Sequence, residues 1–285
     1  MAIPIINDWE KYFDNPEEGL GSSYERIVIN NVISRLTQAY KVQSILECPS
    51  FGFTGMSGIN LMAEALEGRQ IFLEDHDAHR LQLIKSIWEE LALNFRTNLN
   101  PDYRHLEYDD AAIDMSFNFS AMWYAPDLRA SLSEICRVTS QVIMISVPNR
   151  HGMGFKMQMK GFRAEDYPQL YPAHIDPALI IHLMRKQGWR MQESDYFDCP
   201  PWPDIGMSKE DFLVQRFGLK WPFPKKPESK EVLSILSYYR GEDLEFRERM
   251  LKYYGFEHYA PRWLKKAWAH HFYMVFVPDA QEKII

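Results

Sequence analysis

The sequence predicts an α/β protein with a doubly wound, mostly parallel sheet and an aromatic-rich helical insert before the last strand. Three observations predict it. Strand-like apolar runs alternate with amphipathic helical segments, the order that builds a parallel sheet. The run from Gln141 to Val147 is almost uninterruptedly apolar, as a strand covered on both faces requires. The first strand-like run enters a glycine-containing loop and the second ends in acids, an arrangement suited to a nucleotide-type ligand.

Residues 1–24 read as irregular. Over 24–40 the apolar residues Ile29, Ile33, Leu36 and Tyr40 recur at helical spacing, and Ser22 or Ser23 can cap that helix. Strand one is expected at 44–48, a helix at 58–66 closed by Gly68, and strand two at 70–74. Leu81, Ile84, Trp88 and Leu91 form one stripe of a helix over 80–93. Residues 94–110 read as polar and turn-rich, 113–119 as a strand, 126–138 as a helix and 141–147 as the central strand. A helix at 177–187 and a strand at 189–197 follow. Proline-rich breakers at 199–202 and 221–227 bound a changed texture, with short helices expected at 231–239, 243–254 and 261–269. Residues 271–277 make a final apolar strand. The division predicted is a leading segment and helix at 1–40, a core at 41–197, the insert at 198–270, and the last strand and tail at 271–285.

A net charge of −7 argues against a general phosphate-backbone binder. The three cysteines, Cys48, Cys136 and Cys199, form no metal-ligand pattern and read as free thiols. The first residues lack a basic segment followed by an apolar run, and no stretch reaches the ~20 apolar residues of a membrane span. The expectation is a soluble cytoplasmic protein with no metal; a homodimer is open.

The ordered motifs resemble those of the class I S-adenosylmethionine-dependent methyltransferases, of the methyltransferase-11-like kind. Ile45-Leu46-Glu47 followed by Gly52 and Gly55 is similar to that family's glycine loop. Asp75, with Asp77 and Leu81 after it, resembles the acid after strand two. Ala125-Pro126-Asp127-Leu128 with Leu132, Glu134-Ile135 and Arg137-Val138 resembles the helix before strand five. Val147-Pro148-Asn149 resembles the close of that strand, and His174-Ile175 with Gln187-Gly188-Trp189 the approach to strand six. The resemblance covers about 24–197 and resumes at 271–277. The chain departs from the pattern at Pro49, where the first loop glycine usually stands, and at Thr139-Ser140, where a Lys-Pro-Gly-Gly turn is usual.

The resemblance implies a Rossmann-like fold, S-adenosyl-L-methionine as cofactor, and a small-molecule acceptor, aromatic or lipid-like. Glu47 would lie beneath the methionine part and order the loop. Gly52 and Gly55 would allow close backbone approach. Asp75 would accept the ribose hydroxyls, with Glu74 and Asp77 as rivals and Asp77 alternatively a helix cap. Asp109 or Asp110 would receive the adenine amino group, and Asn118, Phe119 and Ser120 would border the methyl group. Tyr24 and Arg26 could close over the cofactor. His151 and His174 are candidate general bases, and Tyr24, Trp123, Tyr124 and Trp263 candidate pocket residues. Lys265-Lys266 with Arg262 could meet an anionic acceptor. Each residue has a plain structural alternative as a core, cap or surface residue.

Two other readings stand beside this one. The altered loop is compatible with a non-catalytic methyltransferase-like subunit that binds a protein partner through the insert. A nicotinamide-dependent oxidoreductase is the third; its Gly-x-Gly-x-x-Gly turn into a helix is not in this loop.

Overall fold

The apolar runs assemble into a seven-stranded sheet of order β3-β2-β1-β4-β5-β7-β6 in a computed structural model describing residues 9–17, 19–51, 55–199 and 233–279. The strands are β1 Ser44–Glu47, β2 Gln70–Asp75, β3 Phe95–Leu99, β4 Ile113–Phe119, β5 Thr139–Pro148, β6 Trp189–Phe197 and β7 His271–Pro278. Pairs β1–β2, β1–β4, β2–β3 and β4–β5 are parallel. β7 lies antiparallel between β5 and β6, with Pro148 opposite His271 and Phe197 also opposite His271. From Val142 onward every residue of β5 is buried, which explains its unbroken apolar run.

The helices are α1 Lys11–Asp14, α2 Gly19–Ala39, α3 Met62–Leu66, α4 Ala78–Glu90, α5 Leu128–Val138, α6 Met153–Met159 and α7 Pro177–Lys186. After β6 come α8 Ile235–Tyr239, α9 Phe246–Leu251, α10 Tyr254–Tyr259 and α11 Arg262–Trp268. Asp77, Asp127 and Asp176 cap α4, α5 and α7 by accepting backbone N–H groups of the first turn. In the last helix Pro177 adds a preset backbone angle at the start.

Several boundaries differ from the sequence expectation. The leading helix starts at Gly19 rather than 24. The helix expected over 58–66 keeps only Met62–Leu66. Gly55 and Gly58 hold φ of 66° and 70°, which prolongs the loop. At Gly58 a Cβ would also stand 2.6 Å from Cδ1 of Ile84, so α4 packs against bare backbone there. The turn-rich stretch 94–110 contains β3, an edge strand whose residues are all half-buried or exposed and therefore carry no apolar signature. The helix expected over 243–254 is broken, with α9 ending at Leu251 and α10 starting at Tyr254. Trp202, Trp221 and Phe223 of the insert lie outside the described residues.

The core is continuous across both faces of the sheet. Trp88 of α4 is fully buried, donates its indole N–H to the Gly58 carbonyl at 2.8 Å, and packs on Phe95 with ring centroids 5.3 Å apart. It therefore joins the post-β1 loop, α4 and β3. Elsewhere in the core α9 packs on α2. Asn30 donates to the Tyr239 hydroxyl at 2.8 Å, and Arg240 makes a bidentate pair with Glu90 at 3.0 Å. No described helix is long and apolar enough to cross a membrane. Trp88→Ala should cost about 3–5 kcal/mol, through lost burial and the cavity left behind. Urea unfolding followed by far-UV circular dichroism measures it; a loss under 1 kcal/mol would mean that this joint is not structural.

Candidate functional site

Parallel strands bring their C-terminal ends to one edge, and the antiparallel β7 brings its first residue to the same edge. The candidate residues collect along that line in three groups.

The first group follows β1 and β2. Glu47, the last residue of β1, is fully buried. Its Oε1 accepts from Asn60 Nδ2 at 2.6 Å, while its Oε2 has no hydrogen-bond partner. Burial pushes its carboxyl up to about 8, opposed by the Asn60 hydrogen bond and the charge of Arg26. Arg26 is itself buried, donating to Asn60 Oδ1 at 2.6 Å and to the Met56 carbonyl at 2.5 Å. It thus braces the loop that Gly55 bends. Gly52 lies outside the described residues.

Asp75, the last residue of β2, is also fully buried, and its acceptor capacity is used within the chain. Oδ1 accepts from Arg80 Nη2 and from the Asp77 backbone N–H at 2.9 Å. Oδ2 accepts from Arg80 Nε at 2.9 Å and from the Ser50 hydroxyl at 3.1 Å. Two hydrogen bonds on each oxygen fill the roughly four lone-pair sites of a carboxylate. The Arg80 guanidinium carbon lies 3.7 Å from the Phe51 ring centroid and 5.0 Å from that of Trp9. Tyr124 packs on Phe51 at 4.7 Å and stacks on His76 at 5.8 Å, and its buried hydroxyl has no partner. The rival Glu74 is engaged too, accepting from Tyr108, Asn98 and Asn100. Asp77 takes the capping role. Asp110 is an exposed turn residue paired with Arg137 at 2.8 Å, and Asp109 is exposed beside it.

The second group follows β4 and β5. Asn118 donates to the Cys48 carbonyl at 2.9 Å and accepts from the Ala121 N–H at 3.1 Å, so it ties the ends of β1 and β4 together. Phe119 is a core residue whose ring lies 4.9 Å from that of His271. Trp123 is fully buried and donates to the Ser120 carbonyl at 2.8 Å. His151, exposed at the end of β5, lines an open cavity of about 470 Å³ with Arg150, Asp176, Tyr196 and Phe272. Partial burial and the cations Lys266, Lys156 and Arg150 lower its proton affinity. His174 is half-buried, shares a hydrogen bond with the Ala125 carbonyl at 2.9 Å and stacks on Tyr171, so it serves a turn. Trp263 is 72% exposed. Arg262 and Lys265 are engaged by β6 through Ser194 and Asp195.

The third group is made by α2, the end of β6, α10 and the start of β7. Tyr24 is fully buried and donates to Glu257 Oε2 at 2.7 Å. Glu257 also accepts from the backbone N–H groups of Asp198 at 3.1 Å and Cys199 at 3.0 Å. Burial raises its carboxyl to about 7. His271 bridges Glu25 Oε2 and the Ser120 hydroxyl, each at 2.9 Å. Sequence reasoning reached Tyr24 and Ser120 but not Glu25, Arg80, Asp198, Glu257 or His271. None carries a spacing signal: Glu25 and His271 are 246 positions apart in the chain.

Neither a family model nor a curated protein matches the sequence. Solved structures do match. A putative sarcosine dimethylglycine methyltransferase from Galdieria sulphuraria is similar at TM-score 0.53 and 13% identity, over 88% of this chain and 85% of that one. A chain of the complex between the Haloferax volcanii Trm112 methyltransferase activator and the putative methyltransferase is similar at TM-score 0.50 and 14% identity, over 96% and 99% of the two chains. At such identities the likeness speaks for the fold, and it agrees with the strand order and the antiparallel β7 seen here. The chain therefore has the Rossmann-like fold of the class I S-adenosylmethionine-dependent methyltransferases.

Proposed function

We propose that this chain is a methyltransferase that moves a methyl group from S-adenosylmethionine to a small-molecule acceptor. The observation that carries the reading is Glu47. A fully buried carboxylate with one oxygen lacking a partner, at the end of β1 and beside a glycine-bent loop, suits a bound ammonium group such as that of the cofactor's methionine part. The residues fit the cofactor at this end. At the ribose end they do not fit as placed, because Asp75 has no acceptor left while Arg80 and Ser50 hold it. When bound, the cofactor supplies a methyl group already activated on a positive sulfonium, which leaves positioning to the protein. Glu47, Asn60 and Arg26 would hold and orient one end. Trp123 and Phe119, buried behind the end of β4, exclude water there. His151 is the acceptor-side group suited to taking a proton, because its lowered affinity keeps it neutral at neutral pH.

Asp75 favours a second reading, a non-catalytic subunit with the methyltransferase fold. The chain similar to this one in the Haloferax volcanii structure comes from a complex with an activator, so a partner-binding role is compatible with the fold. Titration calorimetry with S-adenosylhomocysteine separates the two. The methyltransferase reading expects saturable binding, at least several-fold tighter in Arg80→Ala because the ribose no longer competes with a guanidinium. No heat at millimolar ligand in either protein would end that reading. Binding only in Arg80→Ala would favour the non-catalytic chain.

Glu47 also makes a pH prediction. Its folded carboxyl titrates near 8 against an ordinary 4.5, so between those values the folded state holds a proton that the unfolded chain has lost. Stability from this group is therefore fully present below about pH 4.5 and falls as pH rises toward 8. Glu47→Gln should melt progressively higher relative to wild type between pH 5 and pH 9, by an amount on the order of a few kcal/mol. Parallel melting curves across that range would show that Glu47 is not held protonated.

A further inference from the structure

We propose that Glu25, Asp198 and His271 form a binding site for one divalent transition-metal ion where α2 meets the end of β6 and the start of β7. One potential ligand atom from each residue lies within 4.8 Å of the others, and all three residues are buried. The three come from distant parts of the chain and meet only because β7 runs antiparallel to its neighbours.

Two of the candidate ligands, His271 and Asp198, are also oriented by a further group. His271 shares its Nδ1 with the Ser120 hydroxyl at 2.9 Å, which turns Nε2 toward Glu25 Oε2, also at 2.9 Å. Two atoms bound to one ion at ~2.1 Å stand roughly 3 Å apart, so that pair is already spaced as neighbouring ligands. Asp198 shares Oδ2 with His270 Nδ1 at 2.5 Å, and its backbone N–H is held by Glu257 at 3.1 Å. Imidazole and carboxylate ligands held through their other polar atoms are the usual construction of metal sites.

The second observation is the atom left over. Asp198 Oδ1 is buried with no hydrogen-bond partner, although His271, His270 and Glu25 surround the carboxylate. A protonated His271 would satisfy Glu25 and still leave that oxygen unmatched. A buried carboxylate oxygen without a partner is costly. A dication between Asp198, Glu25 and His271 removes the cost and neutralises both carboxylates. Two carboxylate oxygens and one imidazole nitrogen select an ion of the Zn²⁺, Mn²⁺ or Fe²⁺ kind, rather than soft Cu⁺ or an all-oxygen Ca²⁺ site. Three protein ligands leave a coordination position open to water or another small ligand.

The test uses the full chain, stripped with a chelator, dialysed, and titrated with Zn²⁺ in a calorimeter without any nucleoside present. The result is thus independent of the methyltransferase reading. The expected result is one Zn²⁺ per chain and a raised melting temperature. Asp198→Asn and Glu25→Gln should each weaken binding at least tenfold, and His105→Gln, at an exposed histidine, should leave it unchanged. No saturable binding to wild type would overturn the site. Equal binding by Asp198→Asn and Glu25→Gln would also overturn it, since the ion would then be adventitious. If both variants fail to fold, Co²⁺ absorption of the wild type decides. An intense visible band from a four- or five-coordinate ion supports the site, and the pale band of the hydrated ion overturns it.

Discussion

The direction of β7 is the constraint on which the functional edge depends. Its antiparallel placement between β5 and β6 delivers residues 270 and 271 to the C-terminal ends of strands that were completed much earlier in the chain. It is why His271 stands against Ser120, which follows β4, and why α2 and the end of β6 are drawn to the same place. The backbone bonds between Asn149 and His270, and between His270 and Asp198, close this corner.

An edge built this way gathers acids. Glu47, Asp75, Asp198, Glu25 and Glu257 are all buried there, and burial of a carboxylate must be offset group by group. Asp75 is offset by Arg80, the Ser50 hydroxyl and the Asp77 backbone N–H, which together use up its acceptors. Glu257 is offset by a tyrosine hydroxyl and two backbone N–H groups. Glu47 and Asp198 are offset in part, each keeping one oxygen without a partner. Incomplete satisfaction in so well packed an interior is where ligands are expected. The two incomplete acids fall at different places on this edge, Glu47 at the end of β1 and Asp198 just after β6.

Arg80 changes how the acid after β2 is read. It occupies the first turn of α4, where the Asp77 cap also holds its backbone N–H. From there its side chain turns back onto Asp75 and under the Phe51 ring. Phe51, which follows β1, supplies the face on which the guanidinium rests. Phe51 and the Arg80–Asp75 pair thus form one packing unit.

The sequence by itself determined the elements whose signal is local. The buried run of β5, the stripe of α4, the helix over 126–138, the cap Asp77, and the order of strands and helices all follow from periodicity and short-range hydrogen bonding. The position of Glu47 at the end of a strand was legible because strand ends before a glycine loop are a local pattern, and so was the alternative capping role of Asp77. β3 was not legible, since an edge strand exposed to solvent needs no apolar residues. The state of Asp75 and the meeting of Glu25, Asp198 and His271 were decided only by tertiary structure. A carboxylate's type predicts what it can accept, but which donors reach it depends on side-chain packing around α4. Glu25, far from the other two in the chain, can share a site with Asp198 and His271 only after the sheet has placed β6 and β7 side by side.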